Sequence, residues 1–246
     1  TALLHLKGDR IDAGKVQEML SIYETSSPSY VLMCSIDKCI REIQKNGQQR
    51  YDGLLNVINK IRKNVNKYIS IPCEELKNQN NVFDVDVTKL IINVNNSGIT
   101  GKQLGDILRY KYNIEVEMDS LKYVLGITTI CDDYKELERL AAALKEIDKS
   151  LEEKQNENIS VELLKNKRMY SIYETDLKEK NTVNLFDSKD CISGEFVFLY
   201  PPGIPLVVPG EVITEELLEQ IKVYLEANMN ISGLKDNSNK TIEVVK

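Results

Sequence analysis

Leu54, Ile58, Ile61, Val65 and Tyr68 stand alternately four and three residues apart. That spacing puts five apolar side chains on one face of a helix, and such a face is stable only when something covers it. The stripe predicts a long amphipathic helix over Gly53–Tyr68, ended by Ile71-Pro72, and obliges the rest of the chain to supply a core. The 246 residues are enough for one large or two small domains.

Upstream, Ala2–Lys7 is a short apolar stretch broken at Gly8-Asp9, and it predicts a strand and a turn. A helix should follow from an Asp12 N-cap, with Val16, Met19, Leu20 and Tyr23 on one face, and stop at Thr25-Ser26-Ser27-Pro28. A second helix is expected over Pro28–Lys45, with Asn46-Gly47 separating it from the striped one.

Downstream, Leu76–Asn81 is a polar, asparagine-rich loop. Thr88–Val94 reads as a buried strand and Asn95–Gly98 as a turn. Thr100 suits the N-cap of a helix bearing Leu104, Ile107 and Leu108. A strand around Val124–Ile130 and a helix over Asp133–Leu151 complete an alternation typical of α/β or α+β layers. Glu152–Asn158 reads as helix end and linker, and Leu163–Asp190 has no clear period. The domain division expected is 1–72, 73–155 and 156–246. The pentapeptide Ser-Ile-Tyr-Glu-Thr occurs at Ser21–Thr25 and Ser171–Thr175, but its flanks differ, so no repeat is inferred.

The strand-like Glu195–Leu199 runs into Tyr200-Pro201-Pro202-Gly203-Ile204-Pro205, then Leu206–Val208 and Pro209-Gly210-Glu211. Four prolines fix φ through this stretch, which should shape a surface or cover a cleft. Thr214 then caps a helix with Leu217, Leu218, Ile221 and Leu225 on its apolar face.

Composition excludes some functions. The net charge of −6, with both signs interspersed, offers no basic stripe for nucleic acid. No apolar run approaches the roughly 20 residues a membrane span needs. Five cysteines without framework spacing, and no Cys-x-x-Cys pair, suggest reduced thiols in the cytoplasm. With His5 the single histidine, a zinc site is not expected, and His5 suits a structural role at a sheet edge. No nucleophile elbow, phosphate-binding loop or dinucleotide fingerprint is present. Asp132-Asp133 and Glu74-Glu75 read as solvated pairs. Thr25–Tyr30 gathers hydroxyls at a predicted helix start, which suits either plain capping or an anion such as phosphate.

Thr1-Ala2-Leu3-Leu4-His5, Lys15–Leu20 and Thr25-Ser26-Ser27-Pro28-Ser29-Tyr30 resemble the stretch after the cofactor lysine in ornithine/lysine/arginine decarboxylases. Tyr200–Pro205 and Pro209-Gly210-Glu211 resemble the C-terminal signature of the same family. The resemblance implies an aspartate-aminotransferase-like fold, in which the chain holds the end of the large domain, a small α/β domain and a C-terminal extension. It implies pyridoxal 5′-phosphate as cofactor, a dimer or higher oligomer, and a basic amino acid (lysine, arginine or ornithine) converted to a polyamine-type amine and CO₂.

Thr25, Ser26 and Ser27 are then expected near the cofactor phosphate, reaching towards a neighbouring subunit. Tyr200 and Glu211 are expected at the substrate entrance, with Glu211 either attracting a cationic side chain or bonding within the fold. In this family the cofactor lysine lies in a His-Lys motif just before the position of Thr1. No His-Lys occurs here, so the resemblance implies a chain without catalytic residues of its own, needing the N-terminal half of the enzyme as partner. The alternatives are a non-catalytic or regulatory domain derived from the family, and a related fold turned to another amino-acid reaction.

Overall fold

A computed structural model describes residues 2–65, 67–94, 97–152 and 164–246. The predicted linker beyond Glu152, Asn95 and Asn96 of the predicted turn, Leu163 and Thr1 thus lie outside the described residues. The chain divides into two compact units, Thr1–Leu54 and Leu55–Lys246.

In the first unit, Ala2–Lys7 is extended but joins no strand. The expected strand fails because apolar residues alone do not make one without a neighbour to share the backbone hydrogen bonds. His5 is correspondingly exposed rather than held at a sheet edge. Helix α1 (Ala13–Tyr23) starts where predicted, its Asp12 carboxylate accepting from the Gly14 and Lys15 N–H groups. Helix α2 (Tyr30–Asn64) runs unbroken for 35 residues, merging the two helices predicted on either side of Asn46-Gly47.

A lone glycine costs a helix only about 1 kcal/mol relative to alanine. Here it is bridged by side chains one turn apart. The Glu42 carboxylate accepts from Asn46 Nδ2 at 3.0 Å and pairs with Arg50 at 2.6 Å. The Asn46 bond and the Arg50 charge hold the Glu42 carboxyl below the usual carboxylate range.

The second unit begins with the end of α2, where Ile58 and Ile61 are fully buried. The helix stops at Asn64, four residues short of the predicted Tyr68. The reason is Asp148, a buried carboxylate that accepts the backbone N–H groups of Lys67, Tyr68 and Ile69 at 3.1, 2.7 and 2.7 Å. Those donors would otherwise have bonded back into the helix. The asparagine-rich loop also has a conformational cause. Asn78, Asn80 and Asn81 take positive φ values of 61°, 48° and 68°, which asparagine tolerates better than most residues.

Three antiparallel strands follow in the order β1-β3-β2: β1 (Lys89–Asn93), β2 (Met118–Asp119) and β3 (Tyr123–Ile127). Helix α3 (Gly101–Tyr112) has a complete capping box of Thr100 and Gln103, and α4 (Tyr134–Ser150) is capped by Asp133. Leu137, Leu140, Ala141, Leu144 and Ile147 of α4 are all buried, as their spacing predicts.

The C-terminal region adds α5 (Ile172–Asp176), β4 (Lys180–Asn184), β5 (Val197–Leu199), β6 (Ile204–Val207), α6 (Glu215–Glu226), β7 (Ile231–Ser232) and β8 (Thr241–Val245). Strands pair as β6-β5-β7 and as β4-β8. Val197, Val207, Ile213, Leu217, Ile221 and Val244 belong to one core, into which the β2–β3 turn inserts Leu121. The buried Glu195 carboxylate ties the ends together, accepting from Lys235 N and Glu243 N at 2.8 and 2.7 Å. No helix among the described residues is long and apolar enough to cross a membrane.

Candidate functional site

In the first unit, Thr25, Ser26 and Ser27 form the short connection between α1 and α2, and all three are exposed. Ser27 N–H donates to Thr25 Oγ1 at 3.3 Å. The start of α2 is capped by Ser29, whose Oγ accepts from Leu32 N–H at 3.4 Å and whose carbonyl accepts from Met33 N–H at 3.0 Å. No acidic residue stands in the first turn of α2. Capping is therefore the work of Ser29, and the three upstream hydroxyls are left facing solvent beside the positive end of a long helix dipole.

In the second unit, the proline-rich loop connects β5 to β6. Tyr200 at its start is 55% exposed. Glu211 is half-buried in the following turn, where its carboxylate accepts from Val208 N at 3.2 Å and Asn166 Nδ2 at 3.3 Å. Among the described residues no hydrogen bond joins Tyr200 to Glu211. The turn itself depends on Gly210, which has φ +92° and would place a Cβ 2.2 Å from the Tyr170 carbonyl oxygen. The Met169 and Tyr170 N–H groups both donate to the Gly210 carbonyl, so the loop is anchored from both sides.

The same loop does what its prolines suggest and covers a cleft. Pro201, Pro202, Pro205 and Leu206 border a cavity of about 440 Å³. Its other walls come from the β2–β3 hairpin and from α6, including Tyr123 and Tyr224. Sequence reading missed this enclosure because its walls come from segments roughly a hundred residues apart; only the proline density pointed to it.

Both ends of the chain match one family. The Orn/Lys/Arg decarboxylase major-domain model covers residues 1–91, and the Orn/Lys/Arg decarboxylase C-terminal-domain model covers residues 171–237. The chain belongs to the Orn/Lys/Arg decarboxylase family. Among relatives in this family, an arginine decarboxylase of Bacillus subtilis (strain 168) is 33% identical, with all of this chain and 51% of the relative covered. An arginine decarboxylase of Bacillus anthracis is 29% identical with the same coverage.

The chain thus spans about half the length of the curated relatives it matches. Among solved structures, the constitutive lysine decarboxylase of E. coli superposes with a TM-score of 0.73 at 17% identity, covering 98% of this chain and 47% of that one. The lysine decarboxylase of Francisella novicida superposes at 0.72, again at 17% identity, over 98% and 46%. These likenesses establish the mixed helix-and-sheet decarboxylase fold.

Proposed function

We propose that this chain forms the C-terminal part of a pyridoxal-phosphate-dependent decarboxylase that converts a basic amino acid, arginine first, to the corresponding amine and CO₂. The observation that carries the reading is the order of the two family matches, major domain at residues 1–91 and C-terminal domain at 171–237. The preference for arginine rests on the names of the relatives that match the whole chain.

The residues present suit the cofactor. Thr25, Ser26 and Ser27 offer three solvent-facing hydroxyls next to a helix N-terminus free of acidic residues, a donor set made for a phosphate. Pyridoxal phosphate, when bound, supplies the electron-withdrawing ring that makes loss of the carboxylate accessible. The chain's own part is to hold that phosphate and, through Tyr200, to shape the entrance for the substrate. Glu211 fixes the loop that carries Tyr200 and adds negative charge favourable to a cationic side chain.

The lysine that would bind the cofactor is not in this sequence, so an N-terminal half is required as partner. The first unit supports that requirement, since Tyr23 and Met33 are 82% and 50% exposed on apolar helix faces. Association into a dimer or larger oligomer in the cytoplasm belongs to the same proposal.

The test is reconstitution of the chain with the N-terminal half, followed by CO₂ release from arginine, lysine and ornithine. Faster turnover of arginine is expected. A complex that binds the cofactor yet releases no CO₂ from any of the three would overturn the reading. In the active complex, Ser27→Ala should weaken pyridoxal phosphate about fivefold, the equivalent of ~1 kcal/mol for one neutral hydrogen bond.

A further inference from the structure

The residues that border the cavity beneath the proline loop include one acid and one base, Asp119 and Lys122. Lys122 stands on the exposed β2–β3 turn, where water solvates its ammonium. Asp119 is placed differently. It ends the short edge strand β2, and only 20% of its side-chain surface stays accessible.

A carboxylate withdrawn from water to that degree needs donors or a counter-charge. Among the described residues, no other residue donates a hydrogen bond to it. Lys102 of α3 comes nearest, at 3.9 Å, and its ammonium is already bonded to Asp106. Arg109, further along α3, is paired with Glu115. Between them α3 faces the carboxylate with Gly105, where even a Cβ would lie 3.1 Å from Oδ2. Burial accordingly pushes the Asp119 carboxyl up, with Lys102 opposing the rise and the like charge of Asp106 adding to it. The Glu211 carboxylate, by contrast, already accepts from Val208 N and Asn166 Nδ2.

What the fold leaves out beside Asp119 is a cation. The other walls suit the hydrocarbon stem of one, since Leu121, Ile204, Pro205 and Leu206 are apolar. A volume of about 440 Å³ is within the range of small-molecule sites. A guanidinium fits this setting better than an ammonium. It is more weakly hydrated, so it loses less on leaving water, and it offers a carboxylate a planar fork of N–H donors.

We infer that this cavity receives the guanidinium end of the substrate, and that Asp119 is the residue that selects guanidinium over ammonium. The inference rests on the decarboxylase reading, in which the proline loop borders the substrate entrance, and it gives the preference for arginine a physical cause. Asp119 takes no part in the chemical step.

The experiment has two arms. In the first, butylguanidinium and butylammonium are titrated into the 246-residue chain and followed by NMR. Butylguanidinium is expected to bind at least fivefold more tightly, and Asp119→Asn should weaken it at least tenfold. In the second, the complex with the N-terminal half carries the same substitution. Its KM for arginine should rise at least tenfold with kcat changed less than twofold, and its KM for lysine should rise less. A purely structural role for Asp119, through Lys102, would instead lower the melting temperature and leave both probe affinities alone. That result, equal affinity for the two probes, or an unaltered KM for arginine would each overturn the inference. Failure of the decarboxylase reading is a different result: a cofactor-bound complex that releases no CO₂ from any basic amino acid while butylguanidinium still binds through Asp119. It would overturn the substrate assignment and leave the guanidinium site standing.

Discussion

Helices α1 and α6 obey the same spacing rule and meet different fates. On α1, Val16, Met19 and Leu20 are only half-buried and Tyr23 is 82% exposed, so the helix has no buried residue. On α6, Leu217, Leu218, Ile221 and Tyr224 all lie below 8% exposure. An apolar period fixes which face of a helix seeks cover and says nothing about where the cover comes from. For α6 it comes from β5, β6, β8 and the β2–β3 turn. For α1 and the first half of α2 it has to come from elsewhere, which agrees with a chain spanning about half of its relatives.

The sharpest way to break this comparison is thiol reactivity. Cys34 and Cys39 of α2 are exposed, whereas Cys73 in the second unit is buried, and burial also pushes its thiol pKa up. Cys34 and Cys39 should react with an aromatic disulfide reagent at least a hundredfold faster than Cys73, since attack needs an accessible thiolate. Binding of the N-terminal half should slow Cys34 and Cys39 and leave the exposed Cys131 as it was. Protection of Cys131 alone would show that the partner covers the wrong unit.

Core truncation should separate the two helices next. Leu217→Ala removes a side chain with no exposed surface and should cost about 2–5 kcal/mol in urea unfolding. Tyr23→Ala, on an open face, should stay within about 0.5 kcal/mol. Equal losses would mean that α1 is packed after all.

Within the second unit, two glycines of the proline-rich segment make a smaller contrast. Gly210→Ala combines φ +92° with a 2.2 Å clash against backbone, and should lower stability by roughly 3 kcal/mol or more. Gly203→Ala, at φ +104° but with nothing within 4 Å, should cost only the backbone penalty of roughly 1–2 kcal/mol.

The smallest effect concerns acid. Asp236 accepts from Ser238, Lys240 and Thr241, and the Ser238 bonds above all hold its carboxyl well below the usual carboxylate range. A carboxyl depressed in the folded state adds stability that is complete above its unfolded pKa of about 3.9 and is lost as pH falls through the lower folded value. Asp236→Asn should therefore flatten the fall in stability below about pH 4, and leave the slope near pH 7 unaltered.

Much of the fold is legible from local pattern. The Asp12, Thr100, Asp133 and Thr214 caps, and the buried faces of α4 and α6, follow from residues within a few positions of one another. Elements that need a distant partner are not legible. β4 and β8, some sixty residues apart, form a pair although the segment that holds β4 has no clear period. The identical Ser-Ile-Tyr-Glu-Thr segments make the point directly. At Ser21 the pentapeptide straddles the end of α1, whereas at Ser171 it opens α5 with a capping box.

The candidate phosphate-binding hydroxyls were visible because Thr25–Ser27 are contiguous. The cavity beneath the proline loop was not, because its walls are brought together only when the β2–β3 turn enters the C-terminal core. The sequence by itself determined the family, the helix caps, the apolar faces and the proline loop, all properties of neighbouring residues or contiguous motifs. Tertiary structure decided the end of α2 at the Asp148 carboxylate and the enclosure beneath the loop. Each of those depends on a backbone donor or an apolar face finding a partner far along the chain, and no local pattern names that partner.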